Sequence, residues 1–300
     1  MSVYVGLDCG GSSSRILAVD EAGKILFQGQ SGAANLVSTP EGRLRKNLGN
    51  AAIGCPVPDF VCGCFAGLIN DNVRTRGLNI LRDTFPESTN FRAEPDYTAA
   101  LFASEDADVC VIAGTGSLIC SREDGRIVKS GGRGYILGDE GSGYYFGRDV
   151  LMTFLKSPDE ISNSALRSIQ EVFGSTEETT IITGVYKAPS PATILARLVK
   201  ALGHDAAEGR PYAVASVQRN TTELANLFVN HIEEHHPTAT RLSVSLSGGV
   251  WKAAAIFKDT FREVLERSLP GVEFDIRRLT KPPLYGAVEL AKEMNNGNRI

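Results

Sequence analysis

Apolar and polar positions along this chain fall into two copies of one pattern. Residues 3–8 form an apolar run that ends in Asp8 and predict a strand. The turn Cys9-Gly10-Gly11-Ser12-Ser13-Ser14 follows, and residues 15–20 and 24–29 predict two more strands joined by a hairpin at Glu21-Ala22-Gly23. The same order returns at 108–113, an apolar strand that runs into Gly114-Thr115-Gly116-Ser117. Residues 118–121 and 127–128 then predict strands around the acidic turn Glu123-Asp124-Gly125-Arg126. Repetition on this scale predicts two related domains.

Further strands are expected at 60–66, 91–95, 241–246 and 274–279. Helical spacing covers 39–52, 72–85, 97–103, 143–172, 190–202, 211–234, 252–269 and 284–294, with a polar stretch at 174–180. The long helix offers Ala215, Val217, Leu224, Leu227, Phe228 and Ile232 to a core. No low-complexity linker interrupts this order.

The chemistry concentrates in the turns. Backbone N–H groups and hydroxyls at Gly10, Gly11, Ser12 and Ser13, and again at Thr115, Gly116 and Ser117, would form concavities that favour phosphate. Neither is a Walker A loop, since no Gly-Lys-Ser/Thr follows. Asp8 stands where a carboxylate would hold hydrated Mg²⁺. Asp96 opens a helix, where a carboxylate is ordinarily a cap. Ser247-Gly248-Gly249-Val250 joins a strand to a helix and suits the sugar or α-phosphate side of a nucleotide. Two phosphate-cradling turns on related domains imply a nucleotide held in the cleft between them. The segment Gly131-Gly132-Arg133-Gly134-Tyr135-Ile136-Leu137-Gly138-Asp139-Glu140-Gly141-Ser142-Gly143 reads as an irregular loop feeding a helix, with Asp139 and Glu140 at the junction.

Composition narrows the class. The chain has 300 residues, 42% hydrophobic and 22% charged, which suits about two globular domains. A net charge of −4 argues against nucleic-acid and polybasic membrane partners. No leader pattern precedes the first strand and no run has the length of a membrane helix, so the expected location is the cytoplasm. The six cysteines all lie in the first 120 residues, mostly in apolar runs, and read as buried free thiols. His231, His235 and His236 do not match a zinc pattern and read as a solvated helix end.

The turns at Asp8–Ser13, Gly114–Ser117 and Ser247–Trp251 resemble the phosphate-1, phosphate-2 and adenosine motifs of the actin/hexokinase/Hsp70 superfamily. The Gly-Gly-Arg-Gly-Tyr and Gly-Asp-Glu-Gly-Ser-Gly segments narrow the resemblance to the N-acetylglucosamine kinase branch of the BadF/BadG/BcrA/BcrD ATPase family. It covers nearly the whole chain. It implies an α/β fold of two ribonuclease H-like (actin-like ATPase) domains with an interdomain nucleotide cleft, divided as 1–112 plus 285–300 and 113–284. It implies a homodimer that transfers phosphate from ATP, with Mg²⁺, to the 6-hydroxyl of an amino sugar. N-acetylglucosamine is the expected acceptor, with N-acetylmuramic acid or glucosamine as others. Asp96 would be the catalytic base. Gly10, Gly11, Ser12, Ser13, Thr115, Gly116, Ser117, Gly248 and Gly249 would hold ATP. Asn35, Gly67, Gly132, Arg133, Gly134, Tyr135 and Asp139 would hold the sugar. Arg133 replaces a tryptophan frequent in the family, and its guanidinium suits a carboxylate, as on N-acetylmuramic acid. Two other readings exist: the ATP-driven activase of 2-hydroxyacyl-CoA dehydratases, which needs cluster-binding cysteines this chain lacks after Cys120, and a non-catalytic sugar sensor.

Overall fold

The computed structural model describes residues 2–104, 106–295 and 297. The chain divides into two compact units. One comprises Met1–Ala107, Gly125–Ile127 and Leu279–Ile300, the other Asp108–Asp124 and Val128–Arg278. The expected range 285–300 includes positions 296 and 298–300, which lie outside the described residues.

In the first unit β1 (Tyr4–Cys9), β2 (Ser14–Val19) and β3 (Ile25–Ser31) form an antiparallel meander. Helix α1 (Glu41–Ala52) leads to β4 (Phe60–Phe65), and α2 (Asp71–Thr84) to β5 (Asn90–Pro95). β4 runs parallel to β1 and β5 parallel to β4, giving the order β3-β2-β1-β4-β5. The sheet sits centrally because Val5, Leu7, Ile16 and Val61 are fully buried, and α1 covers it with Leu44, Leu48 and Ala51. Asn70 caps α2 by accepting from the Val73 N–H at 3.0 Å. Helix α3 (Asp96–Phe102) leaves directly from β5.

The second unit repeats this topology. β6 (Val109–Ala113) and β7 (Ser117–Glu123) are antiparallel, and β8 (Arg126–Gly131) lies beside β7. Helices α4 (Gly143–Lys156), α5 (Asn163–Phe173), α6 (Glu178–Tyr186), α7 (Pro191–Ala196), α8 (Val199–Ala207) and α9 (Pro211–His235) follow. Then come β9 (Arg241–Ser247), α10 (Val250–Ala253), α11 (Ala255–Ser268) and β10 (Glu273–Arg278). The order is β10-β9-β6-β7-β8, with β9 parallel to β6 and β10 to β9. The terminal helix α12 (Pro283–Asn295) packs on β1, β4 and α3 of the first unit. The repeated strand–turn–strand pattern is therefore a repeated fold.

The helical spans differ from expectation in four places, one of them the 190–202 span, which divides into α7 and α8. The 143–172 span is broken between α4 and α5, because Pro158 supplies no N–H and disfavours helix at Ser157, while Ser162 caps Ala165. The polar stretch at 174–180 contains the start of α6. There the Glu177 carboxylate accepts from the Thr179 and Thr180 hydroxyls and then from their N–H groups, which pulls its pKa down to about 2. The 252–269 span is split by Ala254, whose backbone is extended. On α9, Ala215 is exposed, and Ala213 and Ser216 take the core side.

The histidines correct the sequence expectation. His231 is fully buried, not solvated. Its Nε2 meets Ser121 Oγ of β7 at 2.8 Å and its Nδ1 meets Ser130 Oγ of β8 at 2.8 Å. His236 Nε2 shares Ser121 at 2.8 Å, and His235 Nδ1 meets Glu123 at 3.2 Å. Burial first, then neighbouring His235 and His236, holds the His231 pKa down to about 4. All six cysteines are free, five buried and Cys55 half-buried. No helix among the described residues is long and apolar enough to cross a membrane.

Candidate active site

The first group of residues lies at the carboxyl ends of β1, β4 and β5, the edge where open α/β sheets hold ligands. Asp8 is in register with Cys64 of β4, and Cys64 with Glu94 of β5. Asp96 stands two residues past Glu94, as the first residue of α3. One strand separates their two strands, so the backbones at Asp8 and Asp96 lie on lines roughly 10 Å apart. Asp96 Oδ1 accepts from the Tyr97 N–H at 3.0 Å. Burial first, then the charges of Asp8, Cys62 and Asp96, raises the Cys9 thiol. Burial raises the Asp8 pKa, an effect Arg15 across the β1–β2 pair partly offsets. A cation beside Asp8 would relieve that desolvation, and a hard oxygen donor is the type Mg²⁺ takes.

The turn between β1 and β2 closes through Gly10 N–H donating to Ser13 O at 2.9 Å. Gly11 and Ser12 are exposed. Open space surrounds Gly11, so nothing in the folded chain itself requires glycine there. Two loops rest on this end of β1: Ala34 N–H donates to Gly10 O at 3.0 Å, and Ala66 N–H to Cys9 O at 2.9 Å. They bring Asn35 and Gly67 together beside the turn. Asn35 Oδ1 accepts from the Val37 and Ser38 N–H groups at 2.8 and 2.9 Å, so the amide Nδ2 is the group left to donate outward.

The second group is built around the β6–β7 turn. Gly114 O accepts from Gly143 N–H at 2.7 Å, and Thr115 O from Tyr144 N–H at 3.4 Å, which seats the turn on the start of α4. Asp139 locks it from the other side. Its carboxylate accepts from the Ser117 N–H and, at 3.1 Å, from the Gly134 N–H. Asp139 is buried, with φ 64° in the left-handed region. Burial raises its pKa, and these two amides oppose that shift. A Cβ at position 116 would stand 2.5 Å from Asp139 Oδ2, so glycine there makes room for the carboxylate. Ser117 Oγ donates to Glu140 O at 2.7 Å. The sequence expectation gave Asp139 to the sugar; in the fold it also ties the Gly134 loop to the Thr115–Ser117 turn.

Gly132, Arg133 and Gly134 are exposed. Tyr135 rests on Tyr144, with ring centroids 4.8 Å apart. Gly248 has φ 113°, and a Cβ there would lie 2.2 Å from Ala113 O, so the turn after β9 runs directly against the end of β6. Trp251 Nε1 donates to Val111 O at 3.2 Å and holds α10 in that position. Gly249 is open to its surroundings.

Sequence reasoning missed the support beneath these residues. His231 anchors Ser130, immediately before the Gly131 loop. Asp149 of α4 accepts from Ser216 Oγ at 2.6 Å, Arg219 at 2.6 Å and Asn220 Nδ2 at 2.9 Å, all on α9. In the first unit, Arg92 and Arg74 flank Glu94 at 2.9 and 3.1 Å, just before Asp96. The Arg92–Glu94 alternation directly before Asp96 was the available signal, because those two positions share one side of β5.

A family model for the BadF/BadG/BcrA/BcrD ATPase family matches residues 75–291. Among curated proteins, an N-acetylmuramic acid/N-acetylglucosamine kinase of Clostridium acetobutylicum is 23% identical over 313 positions, covering 97% of this chain and 99% of that protein. An N-acetyl-D-glucosamine kinase of Dictyostelium discoideum is 28% identical over 211 positions, covering 61% of this chain and 64% of that protein. A crystal structure from Porphyromonas gingivalis, provisionally named an N-acetylglucosamine kinase, shares the fold with a TM-score of 0.75 at 22% identity, covering 99% of this chain and 100% of that one. The family model spans well over half the chain and takes in the Asp96, Thr115, Asp139 and Gly248 segments: the protein belongs to the BadF/BadG/BcrA/BcrD ATPase family.

Proposed function

We propose that this protein is an ATP-dependent amino-sugar kinase that phosphorylates the 6-hydroxyl of N-acetylglucosamine, with N-acetylmuramic acid or glucosamine as further acceptors. The observation that carries this reading is the position of Asp96 at the carboxyl edge of the first sheet, the edge that also carries Asp8 and the loops of Asn35 and Gly67. The names of the Clostridium and Dictyostelium relatives support the substrate class.

Phosphoryl transfer needs mainly alignment and charge stabilisation. Asp96 would accept the proton of the sugar hydroxyl as that oxygen attacks phosphorus. The Asn35 amide would donate to a sugar hydroxyl. The Gly132–Tyr135 loop would face the N-acetyl group, with Asp139 contributing to the hexosamine site. The Gly10–Ser13 and Thr115–Ser117 turns would present N–H and hydroxyl donors to phosphates, and Gly248–Gly249 would line the nucleoside side. Asp8 would hold hydrated Mg²⁺, which when bound screens phosphate charge. The protein would act as a cytoplasmic homodimer, a point for light scattering.

The test is ADP release with ATP and Mg²⁺ against N-acetylglucosamine, N-acetylmuramic acid, glucosamine and glucose. The reading expects release with an amino sugar and none without one. Sugar-independent hydrolysis, or silence with every sugar, overturns it.

A further inference from the structure

Apart from these residues, α8 ends in a cluster that the kinase reading does not use. His204, Asp205 and Glu208 each offer one ligand atom, and these atoms all lie within 4.8 Å of one another. His204 Nδ1 lies 3.8 Å from Asp205 Oδ1 and 3.6 Å from Glu208 Oε1. His204 and Glu208 are half-exposed, which leaves a path from solvent, while Asp205 is fully buried.

The two oxygens of Asp205 are treated differently. Oδ2 accepts from the Ser162 N–H at 3.1 Å and from the Tyr212 hydroxyl. Oδ1 is buried without a hydrogen-bond donor. A buried carboxylate oxygen left without a hydrogen-bond partner is costly. Glu208 divides its oxygens in the same way: Oε2 faces Arg210 Nε at 3.4 Å and Oε1 faces His204. In metal sites the outer oxygen of a ligating carboxylate is itself hydrogen-bonded, which orients the inner one. The end of a helix, where carbonyl dipoles point outward, adds further attraction for a cation.

From this geometry we infer that His204, Asp205 and Glu208 form a divalent transition-metal site. One imidazole nitrogen and two carboxylate oxygens, with solvent completing the shell, suit Zn²⁺ better than Mg²⁺, which prefers oxygen ligands throughout. The ion would fasten the end of α8 to Ser162 at the start of α5 and Tyr212 at the start of α9. It lies outside the residues assigned to the kinase reading, so its role is structural.

The experiment is calorimetric titration of the full chain with Zn²⁺ in Mg²⁺-free buffer, with Co²⁺ absorption as the spectroscopic check. One Zn²⁺ per chain is expected, weakened about tenfold or more in His204→Asn and in Glu208→Gln. Thermal midpoint should rise with Zn²⁺ in the parent chain and not in these variants. Co²⁺ should show d–d bands without thiolate charge transfer. Absence of binding, binding unchanged in both variants, or a thiolate band that assigns the ion to cysteine would each overturn the inference. Amino-sugar-dependent ADP release with ATP and Mg²⁺ in the Zn²⁺-free chain is read separately, so either reading can fail alone.

Discussion

The two units share a strand order yet place their chemistry differently. In the first, the strand that feeds the turn carries Asp8 one residue before its end; in the second, the matching position is Ile112. The first unit holds carboxylates at its strand ends, with an exposed turn at Gly11 and Ser12. The second has no acid at that strand position. Its turn is held between the start of α4 and the buried Asp139. On the proposed reading, one scaffold would serve proton transfer in one copy and donation of hydrogen bonds in the other. The divergence lies in a few side chains at the ends of β1, β5 and β6.

The largest expected effect breaks the first unit. Asp96→Asn keeps the size and one acceptor for the Tyr97 N–H but cannot take a proton. Sugar-dependent ADP release should fall about 10³-fold, the range for a lost general base. Sugar affinity by calorimetry should change less than about threefold, since the hydroxyl still has a partner. Loss of sugar binding in parallel with activity would make Asp96 a binding group instead.

The second test acts on the other unit. Asp139→Asn tolerates the left-handed backbone, but it replaces one acceptor oxygen with an N–H donor facing another donor. One of the Ser117 and Gly134 amides then loses its partner. A hydrogen bond to a charged group is worth about 1.5–3 kcal/mol, so kcat/KM should fall about 10- to 100-fold. The comparison sharpens in the KM values. If Asp139 ties the Gly134 loop to the Thr115–Ser117 turn, KM for ATP and for sugar should both rise. A rise for sugar alone would restrict Asp139 to the hexosamine.

The third concerns stability and belongs to the second unit alone. His231 is held neutral in the fold, with its pKa lowered to about 4 from the ordinary 6.5. The unfolded chain therefore binds a proton that the folded chain refuses between those values, and stability falls as pH drops from 6.5 towards 4. The loss should reach about 3 kcal/mol from this group. His236, also shifted down by burial, acts in the same direction. Urea midpoints across this range should show that slope, and His231→Gln should flatten it. An unchanged slope in the variant would assign acid sensitivity elsewhere.

Much of the fold could be read from the sequence because strand, glycine turn and returning strand recur in the same order, and register then fixes Asp8 and Asp96 on one edge. The broken helices could not, since apolar spacing continues across Ser157 while Pro158 and the Ser162 cap act locally. His231 was hidden by its neighbours: Glu233 and Glu234 mark a solvated helix end, but the burial comes from Ser121 and Ser130, far away in sequence. The structural contact of Asp139 with the turn was hidden too, because it depends on the space left by Gly116.

Arg133 gives the smallest effect and the finest distinction. It is exposed in the loop between β8 and α4, and Gly138 lies against its side-chain stem. An exposed guanidinium meets an exposed carboxylate through high dielectric, and such pairs are worth about 0.2–1 kcal/mol; closure over a bound ligand would raise that towards the charge-assisted range. Arg133→Ala should therefore lower kcat/KM for N-acetylmuramic acid about three- to tenfold and leave N-acetylglucosamine within about twofold. Because the two sugars differ by the lactyl carboxylate, their ratio cancels any general disturbance of the loop. A ratio that does not move would separate Arg133 from substrate choice. A ratio that falls, and recovers in part in Arg133→Lys, would show charge acting without the bidentate geometry of the fork.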